Sequence, residues 1–119
     1  MSLRKAPAAA ALALALAAGA QASSSKPSTK MHKALASYYT LYGSKTACGQ
    51  TRYPSQVGVA HRSARCGQLV RLRYRGRYVT APVIDRGPFV AGRTFDLTDE
   101  VKRRLRCPDL CWLEWRFTR

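Results

Sequence analysis

Val83-Ile84-Asp85-Arg86-Gly87-Pro88-Phe89, followed by Gly92-Arg93-Thr94-Phe95-Asp96-Leu97-Thr98, is the stretch on which the reading of this chain turns. An apolar β-run ends on a carboxylate, Asp85. A turn follows at once, because Gly87 admits backbone angles closed to other residues and Pro88 fixes its own. A carboxylate at a strand end is held by a rigid sheet and still reaches a surface cleft, the combination that catalysis asks for. The chain has 6 acidic residues among 119, so an acid in this setting stands out. The plainer reading has Asp85 capping the turn and pairing with Arg86 or Arg93.

Upstream of this stretch the β pattern is clear. Val70, Leu72 and Tyr74 alternate with Arg71 and Arg73, Arg75-Gly76 marks a turn, and Tyr78 to Ile84 returns. Pro82 in the return strand predicts an edge or a bulge there. The arginines of this hairpin read first as a solvated face and second as a binding patch. Leu35 to Leu41 reads as a first strand with Tyr38 and Tyr39 on opposite sides. Gln56 to Ala60 is a short strand that ends at His61. Downstream, Asp99 to Leu105 is a short helix capped by Thr98. Its acids Asp99 and Glu100 suit the N-terminal end, its arginines suit the C-terminal end, and Val101 and Leu105 share the packing face. Trp112 to Phe117 alternates as a last strand, which sends Trp112 and Trp115 to opposite faces. The pattern by itself predicts a small β-barrel with one helix.

The stretch IDRGPF-VAGR-TFDLT resembles the second signature block of the rare lipoprotein A (RlpA)-like double-psi β-barrel family, relatives of the expansins. The first block is present in the right order. Ala36-Ser37-Tyr38-Tyr39 is similar to the family's opening strand. Thr46-Ala47-Cys48-Gly49-Gln50 is similar to its threonine-alanine-x-glycine-glutamate segment, and Val59-Ala60-His61 with Cys66-Gly67 to its alanine-histidine and glycine-threonine segment. The resemblance covers about residues 36 to 105. It implies a mainly β fold, a small six-stranded double-psi β-barrel with one short helix. It also implies that His61 and Asp85 fall on the family's proposed active site. Tyr38, Tyr39, Arg86, Phe89 and Arg93 are the substrate-binding candidates around them. Two positions depart from the family pattern: Ile84 stands where an asparagine often precedes the aspartate, and Gln50 where a glutamate is common.

The ends of the chain predict export. Arg4 and Lys5 precede an Ala/Leu run from Ala8 to Ala18, and Ala20-Gln21-Ala22 offers an A-x-A cleavage site, so residues 1–22 read as a secretion signal. A retained membrane anchor is the alternative; alanine is weakly apolar and the run is short for a bilayer. Residues 23–34 read as a polar flexible tether, and 35–119 as the single barrel domain. The expected location is the cell envelope or the medium, as a monomer without a stable membrane anchor.

The formal net charge is +15, from 21 basic and 6 acidic residues. Arg4 and Lys5 leave with the signal, and the remainder still seeks polyanions such as anionic wall polymers. Nucleic acid is not the expected primary partner of an exported chain without a helix-turn-helix or stacking-aromatic pattern. Four cysteines, Cys48, Cys66, Cys107 and Cys111, read as disulfides in a small exported domain, where staples supplement a modest core. Three pairings are possible. Cys48–Cys66 and Cys107–Cys111 are favoured, the second closing a small ring that Pro108 pre-bends. A zinc site would want repeated C-x-x-C units, which are absent, so neither metal nor cofactor is expected.

The resemblance implies an enzyme acting on peptidoglycan glycan strands. Some members are lytic transglycosylases, which cut between MurNAc and GlcNAc and leave a 1,6-anhydro end. A glycoside hydrolase normally uses two carboxylates. A transglycosylase manages with one, because the sugar's own 6-hydroxyl replaces water. Asp85 is the expected acid/base, and an apolar setting from Ile84 and Phe89 would favour its protonated form. His61 would hydrogen-bond Asp85 or hold the substrate. The expansin kinship implies an alternative, a non-catalytic wall-binding or wall-loosening protein. A third possibility is a secreted inhibitor that binds another protein.

Overall fold

The computed structural model describes residues 29–118. The expected secretion signal lies outside the described residues, as do residues 23–28 of the expected tether. Six strands, β1 (His32–Tyr39), β2 (Val59–Ala60), β3 (Leu69–Tyr74), β4 (Arg77–Asp85), β5 (Arg93–Thr98) and β6 (Cys111–Phe117), close into a barrel. The order around it is β1-β5-β2-β4-β3-β6, and helix α1 (Asp99–Leu105) links β5 to β6. β1 runs parallel to β5 and β2 parallel to β4, while the other neighbours are antiparallel. Consecutive strands are therefore interlocked, and residues far apart in sequence become neighbours.

Alternation fills the interior. Val70 and Leu72 of β3, Val79, Ala81 and Val83 of β4, Phe95 and Leu97 of β5 and Leu113 of β6 form one buried cluster. Val101 and Leu105 join it from α1. The Thr98 hydroxyl caps the helix by accepting from Val101 N at 3.4 Å, and it also accepts from Gly58 N at 3.3 Å. One hydroxyl thus ties the helix start to the approach of β2. Both favoured disulfides form, Cys48–Cys66 and Cys107–Cys111.

Element boundaries shift where tertiary pairing overrides local pattern. β1 begins at His32 rather than Leu35 and ends at Tyr39 rather than Leu41, because β6 recruits His32 and Lys33 opposite Trp115 and Glu114. β2 is two residues long rather than five. Pro82 is the last β4 residue in register with β3, opposite Leu69, and pairing to β2 starts only at Val83, so its missing donor costs no ladder bond. The β2–β4 register shifts just beyond it, between Val59 and Ala60. Ile84 sits against β2 so closely that a Cβ on Gly58 would lie 2.6 Å from its Cδ1. Only glycine fits there without displacing the isoleucine.

Candidate functional site

Strand register gathers the chemistry around Ala60. Ala60 lies opposite Asp85 on β4 and opposite Asp96 on β5, and Asp96 lies opposite Ser37 on β1. Directly opposed residues share a face, so Ser37, Ala60 and Asp96 lie on the side away from the buried Val59, Phe95 and Leu97. The Ser37 hydroxyl donates to Asp96 Oδ1. Asp85 Oδ1 accepts two backbone hydrogen bonds, from Ala47 N at 2.8 Å and Arg86 N at 2.9 Å.

The donor loop is itself stitched down. Cys48 N donates to Ile84 O at 3.2 Å, Gly67 N donates to Val83 O at 2.8 Å, and the Cys48–Cys66 bridge joins the two loops that make these bonds. Gln50 stays within its own loop, where its Oε1 accepts from the Thr46 hydroxyl at 2.9 Å.

Tyr39 follows Ser37 by two residues and so shares its face. Its hydroxyl is buried. Burial first, and then the Asp85 charge, push its pKa up to about 12, with Asp96 adding to the rise and Arg52 opposing it. The phenol therefore remains a neutral hydrogen-bond donor between two acids. Arg52, only 3% exposed, braces it: the guanidinium lies 4.6 Å from the Tyr39 ring centroid. The same group donates to Gln56 Oε1 at 2.7 Å and to Tyr39 O at 3.2 Å, and faces Asp99 at 3.4 Å.

His61 is joined to Asp85 through the backbone, its N–H donating to Asp85 O at 3.1 Å. The imidazole turns the other way, as alternation after Ala60 requires. It packs on Phe95 and Phe117, with ring centroids 5.2 and 5.8 Å away. Its Nδ1 accepts from Ser63 N at 3.2 Å and Ala64 N at 3.0 Å, which puts the proton of the neutral ring on Nε2. Burial, followed by the charges of Arg62 and Arg86, lowers its pKa below the ordinary 6.5.

The remaining sequence candidates separate. Arg86 points its guanidinium at main-chain carbonyls, those of His61 at 3.2 Å and of Ala64, and so clamps the 61–66 loop. Arg93 lies at the β1 junction opposite Leu35, its carbonyl accepting from Arg62 at 2.6 Å. Tyr38 faces the helix, with Lys102 Nζ 4.8 Å from its ring centroid, so Tyr39 is the tyrosine at the cluster. Phe89 is 80% exposed. At Gly87, which has φ +118°, a Cβ would lie 3.5 Å from the Phe89 ring and 3.7 Å from Asp96 Oδ2, so the turn passes beside both.

Asp96, Ser37 and Arg52 were not singled out from the sequence. Asp96 carries a legible signal, since Phe95 and Leu97 flank it and alternation puts it on the opposite face in a chain poor in acids. Ser37 and Arg52 carry none, because their partners are set by pairing and loop folding.

A closed six-stranded barrel with parallel β1–β5 and β2–β4 pairs is a double-psi β-barrel. Residues 32–110 match the family described as lytic transglycolase, and the chain belongs to that family as an RlpA-like member. Two curated relatives are named "Probable endolytic peptidoglycan transglycosylase RlpA". The protein from Aquifex aeolicus is 34% identical over 84 residues, covering 67% of this chain and 37% of the relative. The protein from a Nostoc species is 37% identical over 79 residues, covering 61% and 21%. The chain thus spans well under half the length of these relatives. Among solved structures, the Streptomyces papain inhibitor superposes with TM-score 0.63 at 26% identity, covering 80% of this chain and 100% of its own. An expansin from Clavibacter michiganensis superposes with TM-score 0.61 at 20% identity, covering 76% and 51%, a likeness of fold.

Proposed function

We propose that this protein is an exported lytic transglycosylase that cleaves peptidoglycan glycan strands between MurNAc and GlcNAc, with Asp85 as the acid/base. The observation that carries the reading is the hold on Asp85: a carboxylate at a strand end with two backbone N–H groups on one oxygen, Oδ1. Oδ2 is then the oxygen left to exchange a proton. In the forward step Oδ2–H protonates the leaving glycosidic oxygen as its bond to C1 breaks. The 6-hydroxyl of the MurNAc ring then closes on C1, and its proton returns to Asp85. One C–O bond breaks and one forms, the carboxyl ends protonated as it began, and no water is consumed.

The neighbours have supporting roles. Asp96 holds a second carboxylate across Ala60, roughly 10 Å away between backbones at two strand spacings. Its negative charge suits the positive character that develops at C1. Tyr39 supplies a neutral donor beside the acids, and Phe89 an exposed aromatic face on which a sugar can stack. His61 positions Asp85 through its backbone bond. Proteins of the matching family are named for this chemistry.

The test is direct. The protein is incubated with peptidoglycan, with and without stem peptides, and products are examined for anhydro-ended muropeptides by mass spectrometry. The reading requires such ends, and their absence on every substrate removes it. A second reading, an expansin-like protein that grips wall polysaccharide without cutting, draws on the exposed Phe89 beside the Gly87 turn. Under it Asp85 is a ligand for sugar hydroxyls, and Asp85→Asn weakens glycan binding; under the first reading binding survives.

A further inference from the structure

In the closed strand order β3 and β6 lie across the barrel from β5 and β2, away from the Asp85 cluster. With Val70, Leu72, Val79 and Leu113 buried, alternation turns Arg71, Arg73, Tyr78, Trp112, Glu114 and Arg116 outward. Register decides which of them meet. Arg73 lies opposite Glu114 and is paired to it at 2.6 Å, and its guanidinium also donates to the Tyr78 hydroxyl at 3.1 Å. Arg71 lies directly opposite Arg116. Like charges in that position cost stability, and the nearby Glu114 is already engaged.

Arg71 is preorganised without any carboxylate. Its guanidinium lies 4.4 Å from the Tyr78 ring centroid and donates to the Thr80 hydroxyl at 3.2 Å. Arg116 is held in the β3–β6 ladder by its backbone, and its guanidinium makes no hydrogen bond or ion pair with another described residue. Two depressions of about 410 and 440 Å³ adjoin along this face and share Arg73 and Glu114. Arg71, Tyr78 and Arg116 line one, and Trp112, 68% exposed, lines the other.

We propose that this face is a second binding groove, separate from the Asp85 site, for a polysaccharide whose sugar rings carry carboxylates, a polyuronate. Guanidinium forks match carboxylates in geometry as well as charge. Trp112 offers a flat aromatic face for the apolar side of a pyranose ring, and the strongly basic chain steers a polyanion toward it. Stacking separates a polyuronate from a bare polyanion: polyglycerol phosphate has the charge and no sugar ring in its backbone.

The test uses the full chain in titration calorimetry with polygalacturonate, and with polyglycerol phosphate of matched charge and length. Polygalacturonate binds more tightly than polyglycerol phosphate. The double variant Arg71→Ala/Arg116→Ala weakens polygalacturonate at least tenfold with a melting temperature no lower than wild type, and the Lys/Lys pair restores binding only in part. Trp112→Ala weakens polygalacturonate and leaves polyglycerol phosphate as it was. Asp85→Asn binds both polymers like wild type. Equal affinity for the two polymers, absence of binding, wild-type affinity in the arginine or Trp112 variants, or loss in Asp85→Asn each overturns the proposal.

Discussion

The two sides of this barrel handle charge in opposite ways. Around Ala60 the basic residues are turned onto main-chain oxygens. Arg86 serves the carbonyls of His61 and Ala64, Arg62 those of Pro88 and Arg93, and Arg52 that of Tyr39, so the acids sit among arginines without being paired to them by Arg86 or Arg62. On the β3–β6 side Arg71 and Arg73 project from a regular hairpin, fixed by Tyr78, Thr80 and Glu114, and Arg71 stands face to face with Arg116 of β6. The difference teaches that basicity here is not one undifferentiated property. On one side it is structural support for loops around acids, and on the other it is displayed.

The largest expected effect cuts that comparison at the acid. Asp85→Asn keeps shape and most hydrogen bonds while removing the exchangeable proton. The rate of anhydro-end formation falls by about 10²- to 10⁴-fold, read by mass spectrometry, while Arg71→Ala/Arg116→Ala leaves that rate unchanged. A reversal of the two results would dissolve the distinction between the faces.

Next comes the staple. Cys48–Cys66 closes a loop with a sequence separation of 18 and holds the backbone donor Ala47 near Asp85. Replacing both cysteines with serine costs about 3 kcal/mol in urea unfolding, and the residual folded protein turns over more slowly. Polygalacturonate binding across the barrel is retained under folding conditions. A smaller loss is expected at Thr98, whose hydroxyl serves both Val101 N and Gly58 N. Thr98→Ala costs about 2 kcal/mol by denaturant titration, and Thr98→Ser recovers most of it.

The smallest effect is a pH slope from His61. Its folded pKa lies below the ordinary 6.5, so below that pH the unfolded chain binds more protons than the folded one. Stability therefore decreases as pH falls through 6.5 toward the folded pKa and levels off beneath it. His61→Gln flattens that part of the melting-temperature profile. An unchanged profile would mean that the imidazole is not held neutral against Phe95 and Phe117.

Local chemistry was legible in the sequence. The alternation of β3 and β4 about Arg75-Gly76, the Thr98 cap with acids after it, the placing of Asp85 at a strand end before Gly87-Pro88 and the favoured disulfide partners all depend on residues near one another or on simple ring closure, and the structure holds each of them. The opposed faces of Trp112 and Trp115 followed from spacing alone. Which of the two is exposed did not, because it depends on which face of β6 meets Phe95.

The meeting of Ser37, Asp96 and Asp85 around Ala60 belongs to the tertiary structure. It arises from register between strands far apart in the chain, the parallel β1–β5 and β2–β4 pairs and the antiparallel β2–β5 pair. A two-residue periodicity says which residues share a face but not which strand lies alongside or at what offset. The same gap hid the early start of β1, the turn of His61 toward Phe95 and the confrontation of Arg71 with Arg116. Composition and pattern determined a small, basic, disulfide-stapled β chain with an acid at a strand end. Long-range pairing decided which side chains share a site, because those neighbours exist only once the barrel closes.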